Sequence, residues 1–427
     1  MTPLAILAGI ALPGWLFAAE PTDVRALLPE RTLQDCYAAA LARSEAVAQQ
    51  RELVVQAREH VRQAGGAVLP SLAAVAGWQW QENPGTGTLQ QSLAPTTQTT
   101  ARITATQPLF RGGREYAALR QARRLATAQE STERQAEVQL YKDVAASFYS
   151  VLSATRDLAN LADQLAAYDA RIAELADRER IGRSRTSEVL TARAARASLG
   201  AQDVQLRGVL DQARQALAFL TGQPTDAPLA DEAGDPPAPD ELQTCLAGIE
   251  GRPDVVAARA RAEAARAGEW VATGAVLPSI DVIGNYYLKR GGVLEDVRWD
   301  AQLALTLPLF TGGQTLSRIR EAKSQRRQGD LGVALARRSA ETEIRAIYDR
   351  LLADRGQVAA LASAVELAKA SYDQQAEEYR QGLVNNLDVL TALNTLQGMR
   401  QALDRARYLL RTDLALLSAA TGRVAAR

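Results

Sequence analysis

His60 is the only histidine in a chain of 427 residues, and Cys36 and Cys245 are its only cysteines. A lone imidazole cannot build a histidine metal cluster, nor serve as the base for a serine nucleophile without a partner at fixed spacing. The glycine pairs of RGGRE, from Arg111, and TGGQT, from Thr311, lack the lysine and the spacing of a phosphate-binding loop. The chain is therefore read as no enzyme, with no cofactor and no metal. What remains is carboxylate and guanidinium chemistry at two turns. Glu188 and Asp388 each lie two residues inside a predicted helix start, near Thr186 and Asn386. An acid there caps a helix and answers its dipole. Arg178, Arg180, Arg183 and Arg185 make the first turn basic, whereas Glu377 and Glu378 make the second more acidic. Such charges either solvate a turn or set the register of a partner.

Glu188 and Asp388 stand 200 residues apart, and the same offset recurs along the chain. PLFRGG at Pro108 matches PLFTGG at Pro308; Arg180 and Gly182 match Arg380 and Gly382; VLTA at Val189 matches VLTA at Val389. Upstream, AVLPS at Ala67 and Ala275 is offset by 208, and LQDC ending at Cys36 matches LQTC ending at Cys245, offset by 209. The pattern reads as a tandem duplication, from about residue 32 to 222 and from 241 to 422, with a unit too long for a solenoid. The two cysteines occupy equivalent positions and are expected as separate buried thiols, with a bridge as the alternative for an even pair in an oxidising compartment.

The elements that must carry the two turns are helices of unusual length. No proline occurs between Pro108 and Pro224, and none follows Pro308. From about Arg114 to Arg180 the pattern is helical, about 100 Å at 1.5 Å per residue. Val151, Ala154, Leu158, Leu161, Leu165, Tyr168, Ile172 and Leu175 step by three and four, as do Leu351, Val358, Leu361, Val365, Ala368, Tyr372 and Tyr379, with lapses at Asp354 and Gln375. A sustained period of this kind is a coiled-coil seam. Gly182 and Gly382 are the expected left-handed caps, and helices of about 35 residues return from each turn to Thr221 and Thr421. A further helix, about 33–65 and again 242–274, leads into each pair of strands.

Those strands alternate. Leu72, Ala74, Ala76, Trp78 and Trp80 oppose Ser71, Gly77, Gln79 and Gln81; Ala101, Ile103 and Ala105 oppose Thr100, Arg102 and Thr104. In the second copy Ile280, Val282 and Tyr286 oppose Ser279, Asp281 and Asn285, and Trp299, Ala301, Leu303 and Leu305 oppose Asp300, Gln302 and Thr306. Period two over about ten residues is a strand signature. Half-apolar hairpins either pack on a soluble core or face lipid, and aromatic residues toward one end favour lipid, with Trp78, Trp80, Tyr286 and Trp299 facing it. A membrane sheet must close without a free edge, so four strands per chain call for two, three or four chains, giving eight, twelve or sixteen strands.

Composition agrees. Formal charge is zero, which gives no basic field for nucleic acid. Mean hydropathy is −0.17, and no internal run of about 18 apolar residues suggests a spanning helix. MTPLAILAGIALPGWLFAAEP reads as a secretory signal over residues 1–19. The expected order is then a first repeat over 20–222, with a hairpin at about 70–108 and a tip at 180–186; a Pro/Asp/Gly-rich linker over 223–241; and a second repeat over 242–427, with a hairpin at about 278–308 and a tip at 380–386.

A duplicated strand–strand–long helix–tip–return helix plan, with LP opening the strands and P-L-F-x-G-G closing them, resembles the TolC family of outer-membrane channels. YRQGLVNNLDVLTA, from Tyr379, is similar to that family's second periplasmic tip, and RERIGRSRTSEVLTA to its first. The resemblance implies a mixed fold, a coiled-coil helical barrel running into a membrane β-barrel shared by a homotrimer, twelve strands in all. It implies a location in the outer membrane, extending into the periplasm, with outer-membrane lipid around the barrel. It also implies a periplasmic adaptor protein and an inner-membrane pump, driven by protons or ATP, as partners. Asp388 falls where the family carries an acidic ring at the tunnel entrance, Glu188 is its first-half counterpart, and the family's second acid is Thr391 here. Arg180, Gly182, Arg183, Arg380, Gly382 and Leu383 resemble the adaptor-docking turns. The expected function is a passive exit channel for small molecules in a tripartite efflux system. The alternatives are the outer-membrane channel of type I protein secretion and a soluble periplasmic coiled-coil scaffold.

Overall fold

The computed structural model describes residues 30–82, 96–224, 226–231, 236–291 and 294–423. The leader at 1–19, most of the connector between the first two strands and parts of the 223–241 linker lie outside them. Helices α1 (Leu33–Arg43) and α2 (Glu45–Gly66) lead into strands β1 (Ser71–Trp80) and β2 (Thr97–Arg111). The long helix α3 (Arg114–Arg180) and the return helix α4 (Thr186–Thr221) follow. After the linker come α5 (Leu242–Ala247), a 3-10 turn (Ile249–Gly251), α6 (Pro253–Gly274), β3 (Ser279–Lys289), β4 (Trp299–Thr306), the long helix α7 (Gln314–Gln381) and α8 (Asn386–Ala420).

Two expected helices are broken. The helix read over 33–65 divides at Ser44, whose Oγ accepts the Val47 N–H (3.3 Å) and starts α2 as its N-cap. The helix read over 242–274 stops at Ala247 and restarts with Pro253 at its first turn. Proline tolerates that position because its missing N–H would be unpaired there anyway, and it forces Arg252 out of helical geometry.

α3 and α7, of 67 and 68 residues, each extend about 100 Å. Toward the sheet, α2 packs on α3, α3 on α6 and α6 on α7; in the other half α4 packs on α3, α3 on α8 and α8 on α7. The interior is a series of seams rather than one globule. One cluster gathers Cys36, Val144, Phe148 and Tyr149 beneath α1, another Leu161, Tyr168, Leu175, Val189 and Tyr379 near the tips, and a third Cys245, Ile344, Leu351 and Leu410. The thiols are buried, unbridged and in different clusters; burial pushes Cys36 up to about 11.

Midway along, Arg252 is 5 % exposed and joins four elements. It donates to Asp254 (2.8 Å), to Glu343 of α7 (2.7 Å) and to the Ala420 carbonyl of α8 (3.0 Å), and Lys142 of α3 pairs with the same Glu343 (2.5 Å). Burial alone would raise both carboxyls, yet the hydrogen bonds from Arg252 and Lys142 hold Asp254 and Glu343 below their ordinary values. Nearby, the linker is tied down where Asp231 accepts the Tyr408 hydroxyl (2.6 Å) and Arg411 (2.7 Å).

The strands form one antiparallel four-stranded sheet in the order β1-β2-β3-β4. Trp78 pairs with Thr99, Ile103 with Tyr286, and Tyr286 with Trp299. β1 and β4 are the sheet's two edges, each hydrogen-bonded on one side only. At the join between sheet and helices Gly112 has φ 68°, and a Cβ there would lie 2.3 Å from the Gly274 carbonyl oxygen, so only glycine lets the two segments meet.

Candidate functional site

The sheet gathers most of its large apolar side chains on one face, with Val75, Ile283 and Tyr287 on the other. Following the register, Leu72, Ala74, Trp78 and Trp80 of β1 share a face with Ile103 and Ala105 of β2, Ile280, Val282 and Tyr286 of β3, and Trp299, Leu303 and Leu305 of β4. Trp78, Trp80 and Trp299 are 64, 68 and 69 % exposed, and the first two rings stack at 4.6 Å. Such a surface in water would be a large unpartnered apolar patch. The opposite face is otherwise polar and internally bonded. Thr104 donates to Asn285 (2.8 Å), Asn285 to Asp300 (2.7 Å), and Arg111 pairs with Asp281 (2.7 Å). All four lipid-facing candidates therefore lie on one face, and they occupy the half of the sheet remote from the helices.

The other candidates meet at the far end of the long helices. Gly182 and Gly382 have φ 74° and 78°. Beyond each, an N–H returns to the last helical turn: Arg183 to the Arg178 carbonyl (2.8 Å) and Leu383 to that of Glu378 (2.9 Å). These are Schellman-type closures, which need left-handed backbone at the glycine. The two helix starts differ. At α8, Asn385 and Asp388 form a reciprocal capping box: the Asp388 N–H donates to Asn385 Oδ1 and the Asn385 N–H to Asp388 Oδ2, both at 3.1 Å. At α4, Arg185 offers no side-chain cap, and Glu188 instead accepts from Ser184 Oγ (2.7 Å).

Asp388 borders a groove of about 400 Å³ between α7 and α8, with Ser371, Gln375 and Glu378 on one wall and Thr391 and Thr395 on the other. The Thr391 hydroxyl donates back to the Leu387 carbonyl (2.8 Å), so this position contributes no charge. Glu188 lies at the other tip and does not line that groove. Arg180 pairs with Asp177 and Arg380 with Glu377, while Arg183 has no ion pair among the described residues. Leu383 is exposed, as are Ile181 and Leu387, two apolar tip residues that the sequence reading did not single out.

The residues that tie the tips together were also missed. Tyr379, buried at the end of α7, lies between two guanidinium groups of α3, Arg171 at 3.9 Å and Arg178 at 4.6 Å from its ring centre. Arg171 also donates to Asn386 of α8 (2.9 Å) and to Glu174 (2.6 Å), and Arg178 pairs with Glu174 (3.1 Å). One buried arginine thus contacts both arms of the second hairpin. Higher up, Tyr168 donates to Asn394 (2.8 Å), a further bond from α3 to α8. The prior signals were the seam spacing that included Tyr168 and Tyr379 and the basic character of the first tip that included Arg178; neither pointed to their contact. Among the described residues no group of His, Cys, Asp and Glu could hold a metal ion, and no helix is long and apolar enough to cross a membrane.

Comparison with known proteins brings these features together. A family model described as Outer membrane efflux protein matches residues 36–223 and 248–423. The outer membrane efflux protein BepC of Brucella suis is 27 % identical over 302 residues, 67 % of this chain and 64 % of BepC. The outer membrane protein TolC of Escherichia coli is 24 % identical over 82 % of this chain and 74 % of TolC. The chain thus spans slightly less than two thirds of the first relative and about three quarters of the second. The crystal structure of the outer membrane protein VceC of Vibrio cholerae superposes with a TM-score of 0.80 at 21 % identity, covering 91 % of this chain and 96 % of VceC.

Proposed function

The chain belongs to the outer membrane efflux protein family, and from that membership we propose that it is a passive exit duct shared by three identical subunits. It is an outer-membrane protein, mostly helical, with one four-stranded sheet. The observation that carries the proposal is the sheet: lipid-compatible on one face, internally hydrogen-bonded on the other, with both edges open. Twelve strands from three copies would close those edges, and the polar face would line the passage. The tandem duplication supports the same plan, because each half then supplies one hairpin and one helical tip.

The long helices carry the passage away from the membrane toward the tips. There the Asp388 carboxylate, repeated around a threefold axis, would form a ring favouring cations, while its capping bond to Asn385 fixes the side chain in place. One acid per subunit replaces the two expected from the resemblance, since Thr391 is neutral. The clasp of Arg171 and Arg178 on Tyr379 holds the two hairpins of a subunit together in this state. Docking of a periplasmic adaptor at Arg180, Gly182, Arg183, Arg380, Gly382 and Leu383 would compete with that clasp. Transport energy would come from an inner-membrane pump, the partner that the family resemblance implies. Efflux rather than protein secretion is favoured by the name of BepC, an efflux protein. The soluble-scaffold alternative would leave Trp78, Trp80 and Trp299 in water.

Reconstitution into planar bilayers tests the reading. The purified protein is expected to run as a heat-sensitive oligomer and to conduct ions, and brominated acyl chains should quench Trp78 and Trp299. A protein that stays monomeric and water-soluble, with those tryptophans shielded from the quencher, would overturn it.

A further inference from the structure

A groove of about 600 Å³ lies over α6 where it passes between α3 and α7, close to the sheet. Trp270 stands in it, 63 % exposed. Around the indole are Arg120 and Arg124 of α3, Arg266 of α6, and Lys323 and Arg326 of α7, against Glu263 and Glu269. The two carboxylates are engaged, Glu263 with Arg124 (3.0 Å) and Glu269 with Arg326 (3.4 Å), and Arg266 pairs with Asp330 (2.8 Å). Arg120 and Lys323 have no ion pair among the described residues. An exposed indole flanked by two uncompensated cations is an arrangement that a folded chain has no internal use for.

The groove lies on the outside of the helical wall. Glu115 reaches Arg111 (3.9 Å), which is paired with Asp281 on the polar face of the sheet. At about 100° per residue, Arg120 lies about 140° and Arg124 about 180° around α3 from Glu115. The cations therefore project from the side opposite the polar lining, the side continuous with Ile280, Leu305 and Trp299. Trp270 precedes the end of α6 by about 6 Å, which is within headgroup depth, while Arg120 follows the start of α3 by about 9 Å and Lys323 the start of α7 by about 14 Å, so the two cations reach the layer from below. Apolar Val276 and Leu277, both partly exposed, lie between Trp270 and β3. The headgroup layer extends about 5–7 Å beyond the hydrocarbon, and long basic side chains reach upward from below it.

We propose that this groove holds the anionic headgroup of a phospholipid from the periplasmic leaflet, with Trp270 against its glycerol region and Arg120 and Lys323 on its phosphate. The proposal rests on the assignment of the apolar sheet face to lipid. Indole prefers the membrane interface, and each basic side chain near an anionic surface favours binding by about 1 kcal/mol, or about fivefold.

The test is lipid retention by the full-length assembly in neutral detergent, measured by native mass spectrometry with phosphatidylglycerol or phosphatidylcholine added. Wild type is expected to retain phosphatidylglycerol about 25-fold better, about fivefold from each of the two cations. The preference should vanish in Arg120→Gln/Lys323→Gln and persist in Arg120→Lys/Lys323→Arg. Should the neutral pair fail to assemble, Lys323→Gln alone, at an exposed and unpaired position, is expected to cut the preference by about fivefold. Equal retention of the two lipids by wild type, or an unchanged preference in the glutamine variants, overturns the site. Displacement of the lipid by millimolar inorganic phosphate overturns the lipid as occupant and leaves a free-anion site. Quenching of Trp78 and Trp299 in a Trp270→Phe background reports the membrane reading separately, so the groove can fail while the duct stands.

Discussion

At the scale of single residues, two side chains set the expected behaviour of the tip. Asp388→Ala removes the proposed carboxylate ring and one half of a capping box. The cap is worth about 1 kcal/mol, too little to unfold a helix buried along its length, so the variant is expected to assemble while its reversal potential in a salt gradient moves toward zero. An unchanged reversal potential would leave Asp388 with capping alone. Tyr379→Ala removes a buried ring held by two guanidinium groups, each contact worth about 0.5–2 kcal/mol. It should raise single-channel conductance, and wild-type conductance would show that the clasp does not restrain the tip. The two residues were unequally legible in the sequence. Asp388 follows an asparagine by three positions at a helix start, a local pattern readable from the chain. The Arg171–Tyr379 contact joins residues more than two hundred positions apart, which no local spacing encodes.

At the scale of elements, α3 was legible because it contains neither proline nor glycine between its ends and its apolar residues step by three and four from Val151 to Leu175; α7 holds Gly329, Gly332 and Gly356 but no proline. The breaks at Ser44 and before Pro253 were less visible, since a serine or a proline beside a helical pattern is compatible with continuation until its backbone partners are known. The Arg252 centre shows what such a break can build. Removing this arginine leaves Asp254 and Glu343 without their shared donor, so Arg252→Ala should lower the melting temperature markedly, by about 3 kcal/mol of stability. Because both carboxyls are held below their ordinary values, their contribution is complete at neutral pH and is lost as the pH falls below about 4. Asp413 is the opposite case. Burial, together with Asp354 beside it, raises its carboxyl although Arg350 opposes the shift, so it weighs against the fold at neutral pH and is relieved by acid. Asp413→Asn is therefore expected to raise the melting temperature at pH 7, with the gain shrinking as the pH drops. At the tips, Arg183→Glu should weaken chemical cross-linking to the adaptor without disturbing the oligomer; unchanged cross-linking would mark Arg183 as merely solvated.

At the scale of the whole molecule, period-two alternation revealed which residues share a sheet face, but strand order and register were beyond it, because pairing β2 with β3 spans the entire first tip and the linker. That pairing unites the two hairpins into one sheet and leaves β1 and β4 each bare on one side. In the proposed trimer, the bare edges would make every subunit answerable for its neighbours, since a closed ring has no place for a strand that cannot pair. A cell that makes sound and sheet-defective copies in equal amounts would complete roughly one sound ring in eight if subunits mix freely in threes. A faulty allele of this protein should then be dominant over the intact one, and more harmful than deletion of the same copy.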